Sequence, residues 1–117
     1  MTILLVDDDV LGMATRRKLL EVSGHRVLTA QDEGAALDFF SAIRFDLVVL
    51  DYRLGEHTAE GLISRLRAVE PTVPLLLLSG AMVIPTAAQE SVEGLIVKGG
   101  GGAQLLLSAV DSLTKPS

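Results

Sequence analysis

The 117-residue chain contains no cysteine, no tryptophan and one tyrosine, and aromatic residues make up only 3% of it. Without cysteine it can form neither a disulfide framework nor a thiolate metal site. With so few aromatic rings, its core must be built from Leu, Val, Ile and Ala, which are plentiful among the 49% of hydrophobic residues. The length suits one domain and leaves no room for a second.

An excess of basic residues is also missing, since 10 Lys and Arg stand against 15 Asp and Glu and the formal net charge is -5. Nucleic-acid binding without sequence preference depends on clustered Lys and Arg, so this balance argues against it. Residues 1–9 have no basic segment, so we do not expect a signal peptide. No apolar run approaches the roughly 18 residues of a membrane span. We predict a cytoplasmic domain without membrane contact.

Five short apolar runs alternate with helical patterns along the chain. The runs lie at 3–6, 26–30, 46–50, 74–79 and 94–97, and the helical patterns at 9–23, 32–43, 59–69, 103–114 and, more weakly, 83–92. Three of the runs are almost continuously apolar, which is typical of parallel strands buried on both faces, whereas the mixed run at 26–30 suits an edge strand. The alternation predicts a doubly wound α/β sheet with helices on both faces.

The helical patterns also predict which side chains face the sheet. The predicted inward-facing residues are Val10, Met13, Ala14, Leu19 and Leu20, then Ala35, Ala36, Phe39, Phe40 and Ile43, then Leu62, Ile63, Leu66 and Val69, and finally Leu105, Leu106, Ala109, Val110 and Leu113. The pattern places three basic residues of the first helix away from this inward face, namely Arg16, Arg17 and Lys18. Leu107 lies off the stripe of the last helix, and either forms an exposed partner patch with Leu95 or is an ordinary leucine.

Polar residues lie at the ends of the inner apolar runs. An open α/β sheet binds its ligands at this edge, outside the carboxyl ends of its strands. The polar residues are Asp7, Asp8 and Asp9 after the first run, Asp51 after the third, Ser79 at the end of the fourth and Lys98 after the fifth. Gathered carboxylates repel one another unless a cation joins them, and open oxygen sites suit Mg²⁺. A hydroxyl and a lysine opposite them suit a phosphoryl group, so Asp51 is the natural nucleophile for an aspartyl phosphate.

Each of these residues also has an ordinary structural explanation. Asp9 is predicted to be a helix N-cap, and the Asp7–Asp8 pair could serve the same helix. Ser79 before Gly80 is common turn chemistry, and a single Lys98 is more often a solvated charge. Only their joint placement at one edge of the sheet favours the functional interpretation.

Four segments in order resemble the receiver domain of two-component response regulators, the fold of the bacterial chemotaxis regulator. They are ILLVDDD at 3–9, DLVVLDYRLG at 46–55, LLLLSG at 75–80 and GLIVK at 94–98, and the resemblance covers essentially the whole chain. It implies a five-stranded parallel sheet with the flavodoxin-like strand order 2-1-3-4-5. We expect a single receiver domain over residues 1–117 without an output domain, and the sequence leaves open whether it belongs to a longer protein.

The resemblance also implies a role for each site residue. Asp51 matches the phosphoacceptor, while Asp7 and Asp8 match the acidic pair that holds Mg²⁺, with Asp8 the closer ligand and Asp7 acting largely through water. The implied roles of the others are a metal ligand through its backbone carbonyl for Arg53, the switch hydroxyl for Ser79 and phosphoryl pairing for Lys98. The implied phosphoryl donor is a sensor histidine kinase or phosphotransfer protein, and the implied catalysis is limited to the domain's own phosphotransfer and slow hydrolysis.

The sequence departs from the family pattern at two places. Leu95 stands where receivers usually carry an aromatic residue, so the part of the output signal that depends on that ring is in doubt. Gly99 follows Lys98 where proline is usual, so we predict a trans bond there and high mobility over Gly99–Gly102. The short segment between Ser79 and Lys98 predicts a reduced fourth helix.

Other functions fit the sequence less well. A haloacid-dehalogenase-type phosphatase needs an Asp where Arg53 stands, and a flavodoxin-like cofactor binder needs a phosphate loop where this chain is acidic. His25 and His57 are interpreted as surface residues, since neither has a second ligand at metal spacing. The serious rival is a receiver-like binding or dimerisation module that does not switch by phosphorylation. The downstream protein partner is unknown, and a homodimer is one option.

Overall fold

The computed structural model describes residues 1–80, 84–97 and 102–114, which contain seven strands and five helices. The strands are β1 (Thr2–Val6), β2 (Arg26–Ala30), β3 (Leu47–Asp51), β4 (Arg53–Leu54), β5 (His57–Thr58), β6 (Leu75–Ser79) and β7 (Gly94–Val97). The helices are α1 (Val10–Val22), α2 (Glu33–Ala42), α3 (Glu60–Val69), α4 (Thr86–Glu90) and α5 (Gly102–Thr114). Among these described helices, none combines the length and apolar character that crossing a membrane requires.

Five strands form one parallel sheet in the order β2-β1-β3-β6-β7. Counted among the strands of this sheet alone, that is the predicted order 2-1-3-4-5, and β2 lies at an edge as predicted. The remaining strands, β4 and β5, form a short antiparallel hairpin directly after Asp51, which the sequence did not predict. The sheet register pairs Val6 with Leu50 and Asp51 with Leu78, so the carboxyl ends of the central strands lie level at one edge.

The core has two layers because side chains alternate between the faces of the sheet. One face carries Leu4, Val6, Val48, Leu50, Leu75 and Leu77 and packs against α2, α3 and α4. The other carries Ile3, Leu5, Leu47, Val49, Leu76 and Leu78 and packs against α1 and α5. Every one of these sheet residues is buried, as the continuously apolar strands predicted.

The predicted helix faces are right for most of their residues and wrong for four. Nine of the predicted inward-facing residues are buried, namely Met13, Leu20, Ala36, Phe40, Leu62, Ile63, Leu66, Leu106 and Val110. Val10, Val69 and Leu105 are exposed in the first or last turn of their helices, and Ala14 is exposed in the second turn of α1. Of the two alternatives for Leu107, the ordinary leucine is confirmed, since Leu107 is half-buried and packs in the α1 and α5 layer.

Two further predictions concern the region after β6 and the histidines. The fourth helix is reduced as predicted, with five residues in α4 behind Pro85. His57 is exposed as predicted, whereas His25 is half-buried and was wrongly placed at the surface. Lys98, the Lys98–Gly99 bond and the first three glycines of the 99–102 loop lie outside the described residues.

Candidate functional site

Three carboxylates meet at the carboxyl edge of the sheet. Asp7 directly follows β1, Asp8 comes next, and Asp51 is the last residue of the neighbouring strand β3. One oxygen from each carboxylate lies within 4.8 Å of the other two. Asp7 is fully buried, Asp51 is 6% exposed and Asp8 is exposed. The predicted meeting of Asp7, Asp8 and Asp51 is therefore present in the structure.

Asp7 is held from three sides. Its N–H donates to the Ala30 carbonyl at 3.1 Å, which keeps it against β2 after β1 has ended. Its Oδ1 accepts a hydrogen bond of 3.0 Å from the Asp9 N–H, and its Oδ2 forms an ion pair with the Arg16 guanidinium. A buried carboxylate is costly unless it is paired and hydrogen-bonded, and these contacts explain how the fold tolerates Asp7.

Arg16 is the residue of this site that sequence reasoning missed. The helical pattern placed it away from the apolar face of α1. In the structure its side chain is only 17% exposed, because Asp7 continues the alternation of Ile3 and Leu5 and points to the face covered by α1. The alternation along β1, extended by one residue, could have indicated that Asp7 faces this helix.

Asp8 connects the site to the β4–β5 hairpin. Its Oδ2 accepts a hydrogen bond of 2.9 Å from the Gly55 N–H. Gly55 has a φ of +63°, in the left-handed region that side chains other than glycine rarely adopt. The turn of the hairpin therefore aims a backbone donor at the exposed carboxylate of the cluster.

The segment after Asp51 is anchored by Tyr52. The Tyr52 N–H donates to the Leu78 carbonyl at 2.8 Å, and the Tyr52 carbonyl accepts from the Ala59 N–H at 2.8 Å. Its hydroxyl donates to Glu60, and this hydrogen bond, with burial, raises the pKa of Tyr52 above its usual value. These contacts hold the strand end that carries Asp51.

The other predicted site residues are placed less completely. Ser79 is 2% exposed and ends β6 one residue beyond Leu78, the partner of Asp51, and its hydroxyl donates to the Gly80 carbonyl at 3.0 Å. Arg53 is exposed in β4, and Lys98 lies outside the described residues. Asp9 is the N-cap of α1, accepting a 3.2 Å hydrogen bond from the Gly12 N–H, which confirms its structural interpretation.

The donor set of this edge fits a hard divalent cation. Three carboxylates and one guanidinium leave an excess of negative charge in a partly buried space. Mg²⁺ favours oxygen ligands and binds through one or two carboxylates together with water and phosphate oxygens. The edge can therefore hold a cation and, next to it, a phosphoryl group on a carboxylate.

Comparisons with known proteins agree with this geometry. The family model described as "Response regulator receiver domain" matches residues 3–116. The chain is 32% identical over 114 residues to the alginate biosynthesis transcriptional regulatory protein AlgB of Pseudomonas aeruginosa, covering 95% of this chain and 25% of AlgB. It is 30% identical over 87 residues to the transcriptional regulatory protein ZraR of Escherichia coli, covering 74% of this chain and 20% of ZraR. The chain thus spans a fifth to a quarter of these relatives.

A solved structure shares the whole fold. The crystal structure of the receiver domain of NtrX from Brucella abortus superposes with a TM-score of 0.86 at 27% identity. The match covers 97% of this chain and 99% of that one. The likeness therefore extends over nearly the whole length of both chains.

Proposed function

The chain belongs to the family of response regulator receiver domains, which act in phosphorylation-based signal transduction, and from that premise we propose that Asp51 is its phosphoacceptor. The observation that carries the proposal is the meeting of Asp7, Asp8 and Asp51 within 4.8 Å of one another. Asp51 is the member of this cluster that ends a central strand and is anchored through Tyr52.

The proposed reaction is a phosphoryl transfer to a carboxylate. An oxygen of Asp51 attacks the phosphorus of a phosphohistidine, the O–P bond forms as the P–N bond breaks, and the imidazole keeps the electron pair and takes a proton from water. Mg²⁺ bound at this edge would neutralise the charge of the phosphoryl oxygens. Asp8, Asp51 and the Arg53 carbonyl are the proposed ligands, with Asp7 acting largely through water.

Two further residues complete the proposed site. The Ser79 hydroxyl is proposed to leave the Gly80 carbonyl and donate to the phosphoryl group, because it is buried at the same sheet edge. Lys98, which follows β7 in the sequence, is proposed to pair with the phosphoryl oxygens. The catalysis would extend no further than the domain's own phosphotransfer and slow hydrolysis.

The proposed partners follow from this reaction. A sensor histidine kinase or phosphotransfer protein, located in the cytoplasm with this domain, would supply the phosphoryl group. Phosphorylation would then change the affinity for a downstream protein. The alternative, a receiver-like module that binds or dimerises without phosphorylation, is less favoured, because such a module has no use for three carboxylates gathered at one edge of the sheet.

Intact mass measurement after incubation with acetyl phosphate and Mg²⁺ tests the proposal. We expect one phosphoryl adduct on the native chain and none on Asp51→Asn. The matched control is Asp9→Asn, which removes the same charge two residues from Asp7 but keeps a good N-cap for α1. An adduct that persists in Asp51→Asn would reject Asp51 as the acceptor, and the absence of any adduct on the native chain would reject the phosphorylation switch.

A further inference from the structure

The acidic cluster contains a cation supplied by the chain itself. Arg16 projects from α1 and pairs with Oδ2 of Asp7, whose other oxygen accepts from the Asp9 N–H. The side chain of Arg16 is 17% exposed and that of Asp7 is fully buried. Charges interact more strongly in such a place than at the surface, because little water separates them.

Gly12, one helical turn before Arg16, leaves the space that this arrangement occupies. A Cβ atom built on Gly12 would lie 2.5 Å from Oδ2 of Asp9 and 3.3 Å from Nη1 of Arg16. Glycine within a helix is less favourable than alanine, so its presence in α1 has a cost. Because Gly12 has no Cβ atom, the carboxylate of Asp9 and the guanidinium of Arg16 can lie next to each other beside it.

The ion pair affects any second cation that enters the cluster. The carboxylates of Asp8 and Asp51 lie within 4.8 Å of Asp7, so a metal ion held by them would also lie close to the charge of Arg16. Both oxygens of Asp7 already accept from protein donors. Part of the negative charge that would attract the metal is therefore compensated before the metal arrives.

We propose that Arg16 is a built-in cation of the site, which opposes Mg²⁺ binding and so sets the Mg²⁺ concentration that the domain requires. This inference rests on the proposed function in one respect, namely that the three carboxylates bind Mg²⁺. It adds a positioning residue that acts through Asp7 and that the family resemblance did not supply. A purely structural Arg16 would stabilise Asp7 without influencing the affinity for a cation.

Calorimetric titration with Mg²⁺ at constant ionic strength separates the two roles. We expect Arg16→Met to bind Mg²⁺ at least about tenfold more tightly than the native chain, because a nearby positive charge is removed. Arg17→Met is the matched control, since it removes the same charge from the next residue of α1, which is exposed and pairs with Glu21. Its affinity should change less than about twofold, as expected for a screened surface charge.

Two more variants keep the test decisive if Arg16→Met does not fold. Arg16→Gln removes the charge but keeps hydrogen-bond donors for Asp7, and we expect the same tightening. Arg16→Lys retains the charge and should bind Mg²⁺ close to the native affinity. Circular dichroism establishes that each variant is folded before its titration.

The result that overturns the inference is a folded Arg16→Gln or Arg16→Met variant with the native Mg²⁺ affinity. Absence of Mg²⁺ binding by the native chain and by every folded variant would also overturn it. The titration involves no phosphoryl group, so a tightened variant together with a native chain that forms no adduct would reject the proposed function alone.

Discussion

The backbone N–H of Gly55 donates a 2.9 Å hydrogen bond to the carboxylate of Asp8, which lies 47 residues earlier in the chain. The bond joins the end of β1 to the hairpin that follows Asp51. The hydrogen bond holds the β4–β5 hairpin beside the carboxylate cluster. Asp8 therefore takes part both in the carboxylate cluster and in holding the turn of the hairpin.

Replacing Gly55 should be costly although there is room for a side chain. A Cβ atom at this position would meet nothing within 4 Å, but the φ of +63° is unfavourable for alanine. We expect Gly55→Ala to lower the free energy of unfolding by about 1–2 kcal/mol, measured by urea denaturation. Gly61→Ala in α3 is the control, because its Cβ would have no contact closer than 4.0 Å and its φ is ordinary. Equal losses in the two variants would contradict the backbone explanation.

Arg67 should contribute far more stability than its neighbour Arg65. Its guanidinium donates to both carboxylate oxygens of Glu93, at 2.7 and 2.9 Å, and to the carbonyls of Pro71, Val73 and Ser91. It thereby joins the end of α3 to the loops before β6 and β7. We expect Arg67→Ala to lower the free energy of unfolding by about 2–3 kcal/mol, because several acceptors, two of them in part-buried hydrogen bonds, lose their donor at once.

The control for this change is Arg65→Ala, on the same helix and with the same change of charge. Arg65 pairs only with Glu33 among the described residues, and its side chain is 63% exposed. Its loss should cost less than about 1 kcal/mol, as is usual for surface ion pairs. Thermal or urea unfolding of both variants would show equal losses if the contacts of Arg67 contributed no more than an exposed ion pair.

Tyr52 should ionise at a higher pH in the folded chain than in the unfolded one. Its hydroxyl donates to Glu60, and this hydrogen bond, followed by burial, raises the pKa above 10.0. A raised pKa contributes stability that is present below pH 10 and is lost as the pH rises through the folded pKa. The chain has one tyrosine, so the ultraviolet absorbance of tyrosinate reports this residue alone.

The prediction is tested by comparing the pH midpoints of tyrosinate formation in the native chain, in the chain unfolded by urea and in a Glu60 variant. The native midpoint should lie above that of the protein in urea, and Glu60→Gln should lower the native midpoint by removing the charged acceptor. Coincident midpoints for the native and the unfolded chain would show that the Tyr52–Glu60 bond is not maintained in solution.

The parallel sheet and the three carboxylates could be predicted because they depend on patterns that are local in sequence, whereas the order of the strands was implied only by the resemblance to receiver domains. Apolar runs such as DLVVL at 46–50 define buried strands, and a parallel sheet brings the residues that follow its strands to one edge. Asp7, Asp8 and Asp51 were found in this way without knowledge of any distance. The reduced fourth helix was predicted by the short segment and by Pro85.

Features that depend on tertiary direction could not be predicted. Arg16 has the sequence context of a solvated cation, and only the position of α1 over the face that carries Asp7 gives it a partner. Val10 and Leu105 fit an apolar stripe, but the stripe shows periodicity without showing where the sheet ends. The hairpin of β4 and β5 has two-residue strands, which are too short to leave a period in the sequence.

His25 lies in a position that should make stability sensitive to mildly acidic pH. It is half-buried near the amino terminus and Asp111, and its Nδ1 atom is buried with no hydrogen-bond partner among the described residues. Burial, followed by the charge of the Met1 ammonium, lowers the pKa of His25, while Asp111 acts in the opposite direction. The net direction is below the usual value of 6.5, so the folded chain favours the neutral imidazole.

The sign of the pH dependence follows from this lowered pKa. Well above pH 6.5, His25 is neutral in both states. As the pH falls, the unfolded chain binds its proton first, so the free energy of unfolding decreases until the folded pKa is passed. We expect His25→Asn to reduce this decrease in urea denaturation between about pH 7 and pH 5. His57→Asn, at the exposed histidine of β5, is the control and should keep the native slope. If His25→Asn shows the native slope as well, the decrease comes from carboxylates rather than from His25.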